Sequence, residues 1–209
     1  QLMPWDFSFW SEKYQQAEYS LSAEELKPYF QLESCIDAVF GLATRLYGIT
    51  FEQLDNVPVY HEDVKVYEVN DADGRHLALF YADFFPRASK RGGAWMTEFR
   101  GQSIRDGVEY RPFISTVMNF TKPTADAPAL ITHDELTTFL HEFGHALHGI
   151  FAEGRYGSLT GTNVSRDFVE LPSQIMENWA FQPEVLATYA FHYETGEVIP
   201  AELVEKINA

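Results

Sequence analysis

Two imidazoles and a carboxylate lie together in the segment His141-Glu142-Phe143-Gly144-His145, which has the pattern HExxH. On an α-helix, residues four positions apart lie on the same face, so both imidazoles can bind one metal ion. Glu142 lies about 100° around the helix from His141, where its carboxylate can hold a water molecule without becoming a ligand. The motif therefore predicts a zinc site with His141 and His145 as ligands and Glu142 as the general base.

Glu170 offers the carboxylate that such a site needs as its third protein ligand. Catalytic zinc sites often combine two histidines with one glutamate and leave a fourth position open. Glu170 begins the segment Glu170-Leu-Pro-Ser-Gln174, within a region that the pattern predicts to be a second helix. The sequence therefore predicts one Zn²⁺ per chain, held by His141, His145 and Glu170.

Three further polar residues lie near the predicted ligands. Gln174 and Glu177 follow Glu170 by one and two helical turns, so we expect them to accept hydrogen bonds from the ligand imidazoles. His148 shares a helix face with His141 but lies about 10 Å further along the axis, so it cannot bind the same ion. The sequence leaves open whether His148 packs within the protein or lines a cleft.

Two predicted helices position these residues, the first over about 132–152 and the second over about 168–181. Thr132-His-Asp-Glu135 has the spacing of a capping box, and apolar residues at helical spacing follow it. Gly144 lies in the middle of the first helix, where glycine costs about 1 kcal/mol relative to alanine. We therefore expect another segment to approach the backbone closely at Gly144.

Upstream of these helices, the pattern predicts a helical pair over about 6–47 and a small sheet over about 64–120. Alternating segments over 64–69 and 76–83 flank the turn residues 70–74, which predicts a hairpin, and 112–120 predicts a third strand. The predicted fold class is α+β, mainly α with a small β-sheet.

Composition and charge narrow the classes of partner. The chain has 209 residues, 45% of them hydrophobic, with a formal net charge of −16, which repels nucleic acids and anionic membrane surfaces. No apolar stretch is long enough to cross a bilayer. A single cysteine, Cys35, favours a reducing, cytoplasmic location. The chain lacks an initiator Met, and we expect it to be a piece of a longer protein.

The two site segments together resemble a known family. His141-Glu-Phe-Gly-His-Ala-Leu-His148 followed by Arg166-Asp-Phe-Val-Glu-Leu-Pro-Ser-Gln-Ile-Met-Glu-Asn-Trp179 is similar to the thimet oligopeptidase family of zinc metallopeptidases, most of all to its bacterial peptidyl-dipeptidases. Segments upstream, such as Pro4-Trp5-Asp6 and Asn119-Phe-Thr-Lys122, share the resemblance. By this resemblance His141, His145 and Glu170 match the zinc ligands and Glu142 matches the catalytic base.

The resemblance also implies a fold and a substrate. Residues 1–209 would form part of the catalytic region of a two-lobed, largely helical peptidase that acts on short unfolded peptides. An edge of the small sheet beside the zinc would pair with an extended peptide. The Gly-rich loop 154–161, with Gly157 and Gly161, would overhang the cleft.

The resemblance identifies the rest of the parent polypeptide as a partner, because family members are much longer than this chain. In the family, a His and Tyr segment after the second site helix helps to bind substrate, and nothing after Trp179 matches it. Besides the main interpretation of a zinc metallopeptidase, two alternatives therefore stay open. The chain could be an inactive piece of the enzyme or a non-catalytic module that binds metal or peptide.

Overall fold

The structure is a computed structural model that describes residues 2–19 and 23–207. Its α-helices, α1 to α7 in chain order, are Phe7–Tyr19, Ala23–Leu26, Leu32–Tyr47, His133–Ile150, Leu171–Glu177, Pro183–Leu186 and Ala201–Ile207. Its strands, β1 to β7, are Thr50–Gln53, Lys65–Asn70, His76–Asp83, Trp95–Arg100, Ser103–Arg105, Val108–Tyr110 and Phe113–Val117. Helices and a mixed sheet agree with the predicted α+β class. Within the described residues, no helix is both long enough and apolar enough to cross a bilayer.

Five strands form one mixed sheet in the order β1-β2-β3-β7-β4. β2 and β3 are the antiparallel hairpin that the sequence predicts, and its turn is closed by Asp71, whose carboxylate accepts the N–H groups of Asp73 and Arg75. β7 lies within the predicted third strand and pairs in parallel with β3. β4 pairs only with β7 in the described part of the chain, so it is an edge strand. The sequence did not predict β1, β4, β5 or β6.

The helices α3 and α4 pack against this sheet through aromatic side chains. Phe143 of α4 is fully buried, and its ring centroid lies 5.9 Å from Phe40 on α3 and 5.8 Å from Phe80 on β3. The predicted helical pair over 6–47 corresponds to α1, α2 and α3, with residues 20–22 outside the described ranges. Burial of Phe143 turns the opposite face of α4, which carries the histidines, away from the core.

Both ends of α4 are held by side chains. At its N-terminus, Thr132 and Glu135 form the predicted capping box, in which each side chain accepts the backbone N–H of the other residue. At its C-terminus, Arg111 donates to the carbonyls of Ile150 and Ala152 and, through Nε, to the carbonyl of Leu77 on β3. Arg111 therefore joins the end of α4 to the sheet.

Candidate metal centre

The first site helix, α4, places His141, Glu142 and His145 on its outer surface. The two imidazoles lie one helical turn apart, with ring centroids 4.9 Å from each other and ring planes at 84°. Both histidines are partly buried, whereas Glu142 is 8% exposed. The helix therefore brings the two imidazoles together as the spacing predicts.

Glu170 brings its carboxylate to both imidazoles. Its Oε2 atom lies 3.1 Å from Nε2 of His145 and 3.3 Å from Nε2 of His141. The three side chains form a group that can hold a metal ion, with ligand atoms within 4.8 Å of one another. The three predicted ligands are thus adjacent in the structure, although Glu170 is far from the histidines in sequence.

The second site helix is shorter than the sequence predicts. α5 spans Leu171–Glu177, and a 3-10 turn over Asn178–Phe181 follows it, whereas a helix over about 168–181 was expected. Glu170 is the residue before the helix, with φ −87° and ψ −6°. Pro172 explains the start, because proline is favoured in a first turn, where its missing N–H needs no partner.

Gly144 allows α5 to approach α4. A Cβ atom at this position would lie 2.5 Å from the carbonyl oxygen of Pro172 and 2.6 Å from Cα of Ser173. These neighbours are backbone atoms, which cannot rotate away from an added methyl group. The predicted close approach at Gly144 is therefore present, and the approaching segment is the one that carries Glu170.

The electrostatic environments of Glu170 and His145 suit metal coordination. The Ser173 hydroxyl, and to a smaller extent the two imidazoles, hold the pKa of Glu170 below its ordinary value against the opposing effect of partial burial. Burial lowers the pKa of His145, although the Glu170 carboxylate opposes that effect. An ionised carboxylate beside a neutral imidazole is the form in which these groups bind metal ions.

The pKa of Glu142 is shifted in the opposite direction to that of Glu170. Burial raises its pKa above the ordinary glutamate value, although His141 and the nearby backbone N–H of Met96 act in the other direction. Met96 belongs to the edge strand β4, so Glu142 lies between the site helix and the free edge of the sheet. A carboxylate with a raised pKa is suited to accept a proton and to pass it on.

Of the two predicted hydrogen-bond acceptors, only Glu177 contacts a ligand. Its Oε1 atom lies 2.5 Å from Nδ1 of His141. Gln174 is exposed, and among the described residues no hydrogen bond joins its side chain to either imidazole. Gln174 instead donates its backbone N–H to the carbonyl of Glu170, which fixes it in the first turn of α5 with its side chain toward solvent.

Sequence analysis missed Ser173, which is fully buried. Its hydroxyl lies 2.8 Å from Oε2 of Glu170 and 2.9 Å from the Glu170 carbonyl oxygen. The spacing in the sequence allows this contact, because a serine three residues after a glutamate at the start of a helix can reach the glutamate side chain. The pattern could not show that the hydroxyl faces the carboxylate rather than solvent.

His148 and Gly161 line a cavity of about 390 Å³ beyond the metal centre, together with apolar side chains such as Leu147 and Phe151. The Nδ1 atom of His148 is buried, and its ring packs near Phe168, with centroids 6.1 Å apart. Burial lowers the pKa of His148. The structure thus gives His148 both a packing contact and a place at a cavity.

The Gly-rich loop 154–161 is fixed to the strands beside it. Gln102 accepts the N–H of Gly154 and, through its carbonyl, the hydroxyl of Thr160. Gly157 does not line the cavity, since it begins a 3-10 turn in which an added Cβ would lie 3.3 Å from Cβ of Ser103. Gly161 has φ +58°, and a Cβ there would meet the carboxylate of Glu98. The positive φ and this contact explain why glycine is used at 161.

Fold and site together define an α+β chain in which two helices present a His/His/Glu group able to hold a metal ion, with a buried glutamate beside it. Residues 1–209 match the family model described as Peptidase family M3. The chain therefore belongs to peptidase family M3.

The chain is also similar in sequence to curated peptidases. The chain is 49% identical over 205 residues to dipeptidyl carboxypeptidase of Escherichia coli (strain K12), a match that covers 98% of this chain and 30% of the relative. It is 43% identical over 211 residues to Oligopeptidase A of the same organism, covering 100% and 31%. It is 36% identical over 210 residues to thimet-like oligopeptidase of Dictyostelium discoideum, covering 98% and 31%. The chain thus spans about 30% of the length of the curated relatives that it matches.

Proposed function

We propose that this chain is the zinc-binding part of the catalytic region of a metallopeptidase that hydrolyses short unfolded peptides. The observation that carries the proposal is the convergence of three ligand atoms from His141, His145 and Glu170 beside the buried carboxylate of Glu142. The proposal places the chain within a longer, two-lobed polypeptide in the cytoplasm, with no nucleic acid or membrane as partner. The share of the relatives' length that the chain covers supports the longer polypeptide.

The donor set fits one Zn²⁺. Ligand atoms about 2.0–2.1 Å from zinc at tetrahedral angles lie about 3.3–3.4 Å from one another. The distances from Oε2 of Glu170 to the two imidazole nitrogens, 3.1 and 3.3 Å, are close to that value. When bound, zinc supplies Lewis-acid polarisation of a carbonyl oxygen and makes water more acidic.

Glu142 acts as the general base in this proposal. Its carboxylate removes a proton from the attacking water and later delivers that proton to the amine that leaves. Burial raises the pKa of Glu142, which strengthens it as a base and makes its protonated form available for the second step. Because water attacks directly, no covalent intermediate forms between the enzyme and the peptide.

The edge strand β4 is the proposed binding place for the substrate backbone. β4 has a free side in the described part of the chain, and an extended peptide can add to such an edge through main-chain hydrogen bonds. The backbone N–H of Met96 on β4 lies near the Glu142 carboxylate, so a peptide along this strand would pass the proposed catalytic carboxylate. We propose release of C-terminal dipeptides, in line with the printed name of the 49% identical relative, with internal cleavage as the second mode.

The test is Glu142→Gln in the full-length polypeptide that contains this chain. We expect the variant to keep its zinc and its fold while peptide hydrolysis falls by several orders of magnitude. Glu24→Gln, which changes an exposed residue of α2, is the control for loss of a carboxylate and should hydrolyse peptides normally. Turnover of Glu142→Gln equal to that of the wild type would refute the mechanism.

Other outcomes separate the alternatives. A non-catalytic module that binds metal or peptide would hold zinc, yet the full-length wild type would not hydrolyse peptides. An inactive piece would show hydrolysis in the full-length polypeptide and none in the isolated residues 1–209. Product masses from a defined peptide distinguish the removal of C-terminal dipeptides from internal cleavage.

A further inference from the structure

The Ser173 hydroxyl contacts the atom of Glu170 that faces both histidines. It lies 2.8 Å from Oε2 of Glu170, and the same Oε2 is 3.1 Å from His145 and 3.3 Å from His141. Ser173 is fully buried, whereas the Glu170 side chain is 48% exposed. The Glu170 side chain is therefore half-exposed, whereas the oxygen that faces the two histidines lies against a buried protein hydroxyl.

The hydroxyl proton of Ser173 is directed to the carboxylate. A serine hydroxyl has one proton to donate, and two acceptors are within reach, the carbonyl oxygen and Oε2 of Glu170. The carbonyl already accepts the N–H of Gln174 at 2.9 Å, as in an ordinary helical turn. The ionised Oε2 is the stronger acceptor, because hydrogen bonds to charged groups are about twice as strong as neutral ones.

The position of the Ser173 hydroxyl is fixed by packing. Cα of Ser173 packs against Gly144 of α4, and a Cβ atom added to Gly144 would lie only 2.6 Å from it. Ser173 is also inside the first turn of α5, which begins directly after Glu170. The position of the hydroxyl is therefore set by contact between the two site helices.

We propose that Ser173 is a positioning residue, whose hydroxyl holds Oε2 of Glu170 in place to complete the metal site. A glutamate side chain has several rotamers, and Glu170 is the N-cap residue of α5 rather than part of its interior. The bond from Ser173 selects the rotamer that points at the two imidazoles before the ion arrives. This inference rests on the proposed zinc site and adds a residue that neither the motif nor the family match assigns.

The experiment measures zinc affinity by competition with a chelator, using the full-length polypeptide and its variants at one fixed pH. Ser173→Ala removes the hydroxyl and should raise the zinc dissociation constant about 10–100-fold, the range found when a residue supporting a ligand is lost. Ser173→Thr keeps the hydroxyl and should restore most of the affinity. The unfolding midpoint of each metal-free variant shows whether the fold itself has changed.

Thr188→Val is the matched control. The Thr188 hydroxyl donates to the carbonyl of Val185, three residues earlier, the same local geometry that brings the Glu170 carbonyl within reach of Ser173, but no proposed metal ligand accepts from Thr188. Its loss should leave the zinc dissociation constant unchanged. Substitution of the zinc by Co²⁺ supplies a second readout, since the visible spectrum of Ser173→Ala should differ from that of wild type if Glu170 has moved.

The outcomes distinguish the two proposals. Weaker zinc binding by Ser173→Ala, with rescue by Ser173→Thr and unchanged metal-free stability, supports the positioning role. If Ser173→Ala binds zinc as tightly as wild type, the positioning role is wrong. If Glu170→Ala loses zinc in the same experiment, the proposed metal site is still supported. Equal losses of zinc affinity and metal-free stability in both Ser173 variants would assign Ser173 to packing alone. A wild type without zinc overturns both proposals.

Discussion

Replacing Gly144 with alanine would test how the two site helices set the metal geometry. The added Cβ would lie 2.5 Å from the carbonyl oxygen of Pro172, whereas an ordinary contact needs about 3.5 Å. The difference is about 1 Å, and because both neighbours are backbone atoms, α5 as a whole must retreat from α4. Glu170 precedes α5 directly, so its carboxylate would move away from His141 and His145.

Two opposing terms set the effect of Gly144→Ala on stability. Alanine favours the helix by about 1 kcal/mol relative to glycine. Forcing an extra carbon into a packed contact costs about 1–3 kcal/mol. We therefore expect the free energy of unfolding to fall by up to about 2 kcal/mol. We also expect zinc binding to weaken about 10–100-fold, the range found when the support of a metal ligand is lost.

The assay combines urea unfolding with zinc competition on the same protein. Gly41→Ala in α3 is the control, because nothing lies within 4 Å of a Cβ at that position. The control should be more stable by up to about 1 kcal/mol and should bind zinc as tightly as wild type. If Gly144→Ala matched Gly41→Ala in both measurements, the argument that contact at Gly144 positions Glu170 would be wrong.

Two further predictions concern charged groups outside the metal centre. Burial raises the pKa of Glu98, so its contribution to stability is complete below the ordinary carboxyl range and is lost as the pH rises through the raised value. Glu98→Gln should stabilise the chain against urea at about pH 7 and much less at about pH 4, and a pH-independent effect would contradict this. Lys90 and Asp83 are paired at 2.9 Å with side chains 1% exposed, so Lys90→Met should cost about 3 kcal/mol in urea unfolding. Lys65→Met, which breaks an exposed pair, should cost less than about 1 kcal/mol, and equal losses would refute the burial argument.

The candidate metal ligands could be predicted to lie together because their geometry is local or nearly so. The spacing of His141 and His145 places them on one face of any α-helix, and Thr132 and Glu135 fix where that helix begins. Glu170 is predicted because a catalytic zinc site needs a third protein ligand, although no local rule places it beside α4. The contact with Gly144 supplies that placement, and a glycine in mid-helix was its signal in the sequence.

The parts that were missed depend on contacts between distant segments. β1 and β4 to β6 have only three to six residues each, and short segments carry too little periodicity to be recognised. Gln174 and Glu177 both had suitable spacing, but only the direction of α5 decides which of them reaches an imidazole. Ser173 was overlooked because its importance comes from burial against α4, which no spacing rule contains.

The edge strand β4 also bears on how copies of the chain behave toward one another. An unpaired strand edge is a template on which a second chain can add a strand. In β4 the pairing register with β7 shifts between Glu98 and Arg100. Only a short run of backbone on this edge is thus regular. A short and irregular edge of this kind is a poor template for a continuous sheet between copies of the chain.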